Sequence, residues 1–202
     1  MSLTSSLRST LSRVGEQVRS ASALVEDALT TTLGTAAAPK TLPRALRSRG
    51  GAYPVVSTWA RVDEKAVLVG RVWLGDGVTV GADAVLRGDD GSMVVVGQRS
   101  VVGDGATLVA SPETPVSKLT GLPLAVRVGR NVVVGPQAVL DACVVQDGAT
   151  IGARAVVGEG AVVEAGAAVG DDTVIPPGRR VPAGEKWVGN PAKFAGMVEV
   201  GH

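Results

Sequence analysis

Histidine and cysteine are almost missing from this chain of 202 residues: each occurs once, as His202 and Cys143. A single cysteine excludes an intramolecular disulfide and a cysteine metal cluster, and it is compatible with a reducing compartment. Aromatic rings are scarce as well, five in all, so a core has to be assembled from valine, leucine, isoleucine and alanine. No apolar run reaches the length of a membrane-spanning helix, because glycine or charge interrupts every stretch of valines. The expectation is a chain that does not cross a bilayer.

What the chain does contain is glycine, 27 residues of it, in a sequence that is 45% hydrophobic. That is enough apolar material for one domain with a small appendage. The net charge of +1 conceals an asymmetry, since residues 1–49 carry seven Lys/Arg against three Asp/Glu, and the remainder carries 13 against 16. The first quarter is a separate electrostatic object.

In that quarter Leu7, Leu11, Val14, Val18, Ala21, Val25 and Ala28 step by four and three, which predicts an amphipathic α-helix within residues 1–35. Arg8, Arg13 and Arg19 lie on its other faces. The serine-rich, acid-poor pattern also describes a mitochondrial targeting segment. The expected role is a retained helix lying on a membrane surface or a partner through Leu7, Leu11, Val14, Val18 and Val25; packing on its own domain is the alternative. Residues 36–54, with Pro39, Pro43, Gly50, Gly51 and Pro54, read as an extended connector. Its arginines have no interleaved aromatics for stacking bases, so no nucleic-acid partner is expected.

From Val62 a period of six sets in. Val62, Leu68, Leu74, Val80 and Leu86 are followed by Val96, Val102 and Leu108, then by Val128, Val134 and Leu140. Shifted by one residue, Val145, Ile151, Val157, Val163, Val169, Ile175 and Val181 continue it. A helix repeats at 3.6 and a strand at 2, so six means one short strand and one turn, with three hexads making one coil of a β-solenoid. The aliphatic at each hexad's start should fill a triangular bore together with a partner four residues later, such as Ala66, Val72, Val78 and Ala84. Glycine follows the aliphatic at Gly75, Gly81, Gly97, Gly103, Gly129, Gly135, Gly152, Gly158 and Gly170, where a tight corner needs a small residue or a positive φ. Two interruptions, Arg87 to Met93 and Ser111 to Ala125, should bulge as loops. Trp187, with Pro191 and Phe194, should cap the last coil, and Tyr53 and Trp73 should cover a face or a subunit seam. Cys143 reads as a buried or wall residue.

These hexads, with "AVLRGDD", "VGQRSVVGDGATLV", "VVVGPQAVLDAC" and its frame shift, and the closing "WVGNPAKF", resemble the γ-class carbonic anhydrase family. The resemblance covers roughly residues 55–193. It implies an all-β fold, a left-handed parallel β-helix of about six to seven coils, behind the N-terminal helix and ahead of a tail at 194–202. It also implies trimers that hold zinc between subunits on three histidines. The matching positions here are Val109, Pro136 and Asp141. Catalytic zinc takes about three protein donors and an open water position, so no metal is expected on this chain, and zinc only at an interface between other subunits of a trimer. The family's glutamine position is Gly103. Arg87, Asp89 and Asp104 match charged positions that the resemblance associates with subunit contacts; pairing of Arg87 with Asp89 within their own loop is the alternative.

The resulting expectation is a catalytically inactive structural subunit that forms a heterotrimer with homologous γ-carbonic-anhydrase-like subunits. Its place would be the matrix side of the mitochondrial inner membrane, peripheral, on membrane-arm subunits of respiratory complex I as found in plants and algae. The alternatives are an active zinc carbonic anhydrase, a hexapeptide acyltransferase, which needs a near-neutral base that His202 is poorly placed to supply, and a scaffold in another assembly such as a cytoskeletal motor complex.

Overall fold

The computed structural model describes residues 52–88, 92–110 and 125–198, and the backbone of Arg44–Leu46. The segment carrying Leu7, Leu11, Val14, Val18 and Val25, and also Asp89 and His202, lie outside the described residues. The described residues form strands and turns only, without a helix, so none is long and apolar enough to cross a membrane.

Three sheets of seven, seven and eight strands form the sides of a prism; the strands run parallel, each pairing with the one about three places on in sequence, except for the last strand of the third sheet. The hexad explains the geometry: a pair of residues extends along one side, a turn rounds the corner, and the next hexad begins the next side. On the first face Leu68, Leu86, Leu108, Leu140, Val157 and Ile175 stand in register, and all are fully buried. The partner positions Ala66, Val72, Val78 and Ala84 are buried as the hexad requires. Each valine or leucine withdrawn from water contributes about 1.5–3 kcal/mol, so rows of them support a prism that needs few rings.

Two polar side chains in the bore are satisfied by the coils themselves. Ser100 Oγ donates to the Gly129 carbonyl at 2.7 Å and accepts from the Val132 N–H at 3.1 Å. Thr173 Oγ1 donates to the Asp171 carbonyl at 3.1 Å and accepts from the Gly189 N–H at 3.2 Å.

The corners decide between the two reasons for glycine. At the glycines that follow the aliphatic, φ is not positive; the left-handed residues come two places later, at Gly77, Asp83, Arg99, Gly105, Asn131, Gln137, Arg154 and Asp172 among others. What the former positions need is room. A Cβ on Gly103 would lie 2.7 Å from the Pro136 nitrogen, and one on Gly135 2.7 Å from the Ala153 nitrogen, backbone atoms of the next coil that cannot swing aside.

Both interruptions and the frame shift fall at one corner, between the first and second faces. The flanking strands stay in register across them, with Gly88 opposite Ala110 and Met93 opposite Ala125. The frame shift removes one residue after Val139–Asp141, and Ala142 takes a left-handed φ of 38° to make the turn.

The prism also reaches further than the period of six. Arg44–Leu46, inside the stretch read as connector, pairs with Val67–Val69 on the first face. Lys193–Met197, reaching into the stretch read as tail, folds back antiparallel on Glu185–Val188 and closes the third face. Trp187 is buried there above Val169, with the Arg179 guanidinium 4.8 Å from its ring centre and its indole N–H donating to Glu185 at 2.8 Å. Phe194 pairs beside it but stays exposed.

Candidate functional site

The outward positions of the first face form a second row, in which Val69, Arg87, Val109 and Asp141 follow one another from coil to coil. Strands in such a sheet lie about 4.8 Å apart, so the structure brings Val109 and Asp141 side by side. Pro136 belongs to the same coil as Asp141 but sits exposed on the preceding corner. It is held there by the bond from the Arg154 N–H to its carbonyl at 2.9 Å and stacks against Gly103. At Gly103, where the resemblance would place a glutamine, any side chain would collide with Pro136 and Gly135.

This trio does not fit zinc. Valine and proline side chains offer no lone pair, and one carboxylate falls short of the donor set that a catalytic zinc takes. Asp141 itself is half-buried, and its Oδ1 is buried without a hydrogen-bond partner among the described residues. Burial first, and the negative charge of Glu159 second, raise its carboxyl pKa above the ordinary value. Sequence reasoning missed Glu159: because the frame shift shortens this coil, the residue one coil on from Asp141 is Gly158, and Glu159 follows it on the corner, off the period.

Cys143 follows on the same corner, fully buried, and its thiol is pushed up to about 12, by burial first and Asp141 second. A thiol so held is neither a nucleophile nor a metal ligand at neutral pH. Its position is that of a wall residue in the bore.

Of the three charged positions, Arg87 is exposed on the row just described. Asp104 is engaged within its own chain, its Oδ1 accepting the Ala82 N–H at 2.9 Å. Asp147 does the same for Arg130 at 2.8 Å and Asp171 for Ala153 at 2.7 Å. Asp104 thus performs a task that recurs along the prism, tying a corner to the coil before it.

Asp141 yields a first prediction. A carboxyl that holds its proton more tightly folded than unfolded lowers stability as pH rises above the unfolded value of about 3.9, and the deficit is complete above the folded value. Asp141→Asn is therefore expected to stabilise the fold at neutral pH, by less than ~1 kcal/mol because the group remains partly solvated. The gain should vanish in acid below the unfolded value. Urea unfolding at both pH values checks it, and a gain that persists in acid would contradict the assignment.

No protein-family model matches the chain. It is 38% identical over 141 residues to "Gamma carbonic anhydrase 2, mitochondrial" of Arabidopsis thaliana, covering 70% of this chain and 49% of the relative. To "Protein YrdA" of Escherichia coli it is 33% identical over 148 residues, 73% of this chain and 78% of that one. Among solved structures, a hexapeptide transferase family protein from Anaplasma phagocytophilum superposes with a TM-score of 0.67 at 26% identity, covering 76% of this chain and 84% of the other. The chain spans about half the length of the mitochondrial relative it matches. Hexads that close into a parallel three-sided prism, the frame shift at its fixed corner and these similarities together establish that the chain belongs to the γ-carbonic-anhydrase-like hexapeptide-repeat proteins.

Proposed function

We propose that this chain is a catalytically silent, γ-carbonic-anhydrase-like structural subunit. In this reading it assembles with homologous subunits as a trimer, peripheral to the matrix side of the mitochondrial inner membrane, on the membrane arm of respiratory complex I. The observation that carries the proposal is that the positions which the resemblance assigns to metal ligands present hydrocarbon at Val109 on the first face and at Pro136 on the preceding corner, and a lone carboxylate at Asp141 beside Val109. Zinc hydration chemistry rests on lowering the pKa of a bound water from 15.7 to about 7, and no side chain of this trio substitutes for the metal in that task. The mitochondrial placement follows the names of the relatives.

The test is metal content and CO2 hydration of the purified chain. Stoichiometric zinc or hydration above the background rate would overturn the silent-subunit reading. The triple change Val109→His, Pro136→His and Asp141→His is expected to add zinc binding in an assembled trimer. Deleting residues 2–30 is expected to release the assembly from mitochondrial membranes while the trimer persists, and unchanged docking would count against an anchor in that segment. The transferase likeness favours a second reading, acyl transfer. Calorimetry with acetyl-CoA separates the two, and no binding is expected.

A further inference from the structure

The second face carries an outward row of its own. Val55, Trp73, Val95, Arg127 and Val144 follow one another rung by rung. Around them lies a shallow groove, largely open to solvent, of about 780 Å³, whose lining includes Trp73, Met93, Val95, Arg127, Gln146 and Asp147. Trp73 is 51% exposed and Met93 38%, which leaves an indole and a thioether facing water at its upper end.

The polar lining is mostly engaged. Gln146 Oε1 accepts the Ala165 N–H at 3.2 Å and Asp147 Oδ1 the Arg130 N–H at 2.8 Å, each holding a corner. Arg127 differs. It is exposed, it stands between two valines in its row, and among the described residues it pairs with no acid. A shallow, open groove that is mostly apolar and carries one exposed cation suits a ligand with an apolar tail and an anionic head. A guanidinium fork matches a carboxylate in shape as well as charge, and the neighbouring rungs offer only hydrocarbon and an aromatic face.

We infer that the second face binds a medium-chain fatty carboxylate, its head on the Arg127 guanidinium and its acyl chain against Val95, Met93 and Trp73. This surface lies on a different face from Val109 and Asp141, so the inference stands or falls independently of the silent-subunit reading.

Calorimetry of the full chain with decanoate, below its micelle concentration, is the test. Saturable binding is expected. Arg127→Gln should weaken it about fivefold and Trp73→Ala about tenfold. Trp59→Ala, exposed but outside the concavity, should leave it unchanged. Decylamine, with the same tail and the opposite charge, should bind at least about tenfold more weakly. Three results would overturn the inference: no saturable binding of decanoate, equal binding of decylamine, or an Arg127→Gln variant that binds as the parent does. Self-association of the chain that is lost in Arg127→Glu, without decanoate binding, would equally overturn it and make the groove a contact between copies.

Discussion

Gly152→Leu is expected to destabilise the prism by about 3 kcal/mol or more. The reason lies in the stacking of coils. A Cβ at Gly152 would come within 2.5 Å of the Asp171 nitrogen and of the Gly170 carbonyl carbon, so the next coil has to move bodily. Asp171 would be pushed from its bond to the Ala153 N–H, and the backbone bond from the Gly152 N–H to Val169 at 2.8 Å would stretch. Because each coil rests only on its neighbours, a displaced rung disturbs every strand that follows it. Gly166 is the control. Its φ is +66° and a Cβ there meets nothing within 4 Å, so Gly166→Asn should cost less than about 1 kcal/mol, as Asn131 and Asp172 already adopt that conformation. Urea midpoints of the two variants measure the contrast. Cys143, fully buried in the parent, adds a chemical readout: thiol labelling under native conditions should be much faster in Gly152→Leu and unchanged in Gly166→Asn. Equal stability of the two variants would refute the close-approach account of these glycines.

Leu140→Ala should cost about 2–5 kcal/mol. Leu140 is fully buried between Leu108 and Val157 on the first face, and rigid coils above and below cannot collapse into the space it vacates. Val139 and Asp141, its neighbours on the same strand, point outward, and Val139 is 37% exposed. Val139→Ala should therefore change stability by less than about 1 kcal/mol in the isolated chain. Denaturant unfolding of both variants tests the assignment of inward and outward positions. Parity between them would mean that the register at this corner is wrong by one residue, which would also move Asp141 off the row it shares with Val109.

The period of six was legible in the sequence because every sixth residue has the same duty, and no helix or flat strand imposes that duty. Leu68, Leu86, Leu108 and Leu140 could be assigned to the bore from spacing alone. The poor donor chemistry of Val109 and Pro136 was legible for a similar reason, since their side chains carry no lone pairs whatever the surroundings. Arg44–Leu46 and Lys193–Met197 were not legible. A strand of three residues has no alternation to read, and one that folds back antiparallel departs from the period, so backbone pairing with distant rungs is what makes them strands.

What the sequence by itself determined about this protein is its repeat and its bore, both of which depend on residue type at a fixed spacing. Only the tertiary structure decided why the corner glycines are glycine, that Asp141 has Glu159 for a neighbour, that Asp104 ties down its own preceding coil, and that Arg127 stands beside Val95 and two rungs from Trp73. Those facts depend on which coil rests on which. The two insertions and the one-residue deletion change the number of residues per coil, so contacts between coils follow from stacking and not from a constant offset along the chain.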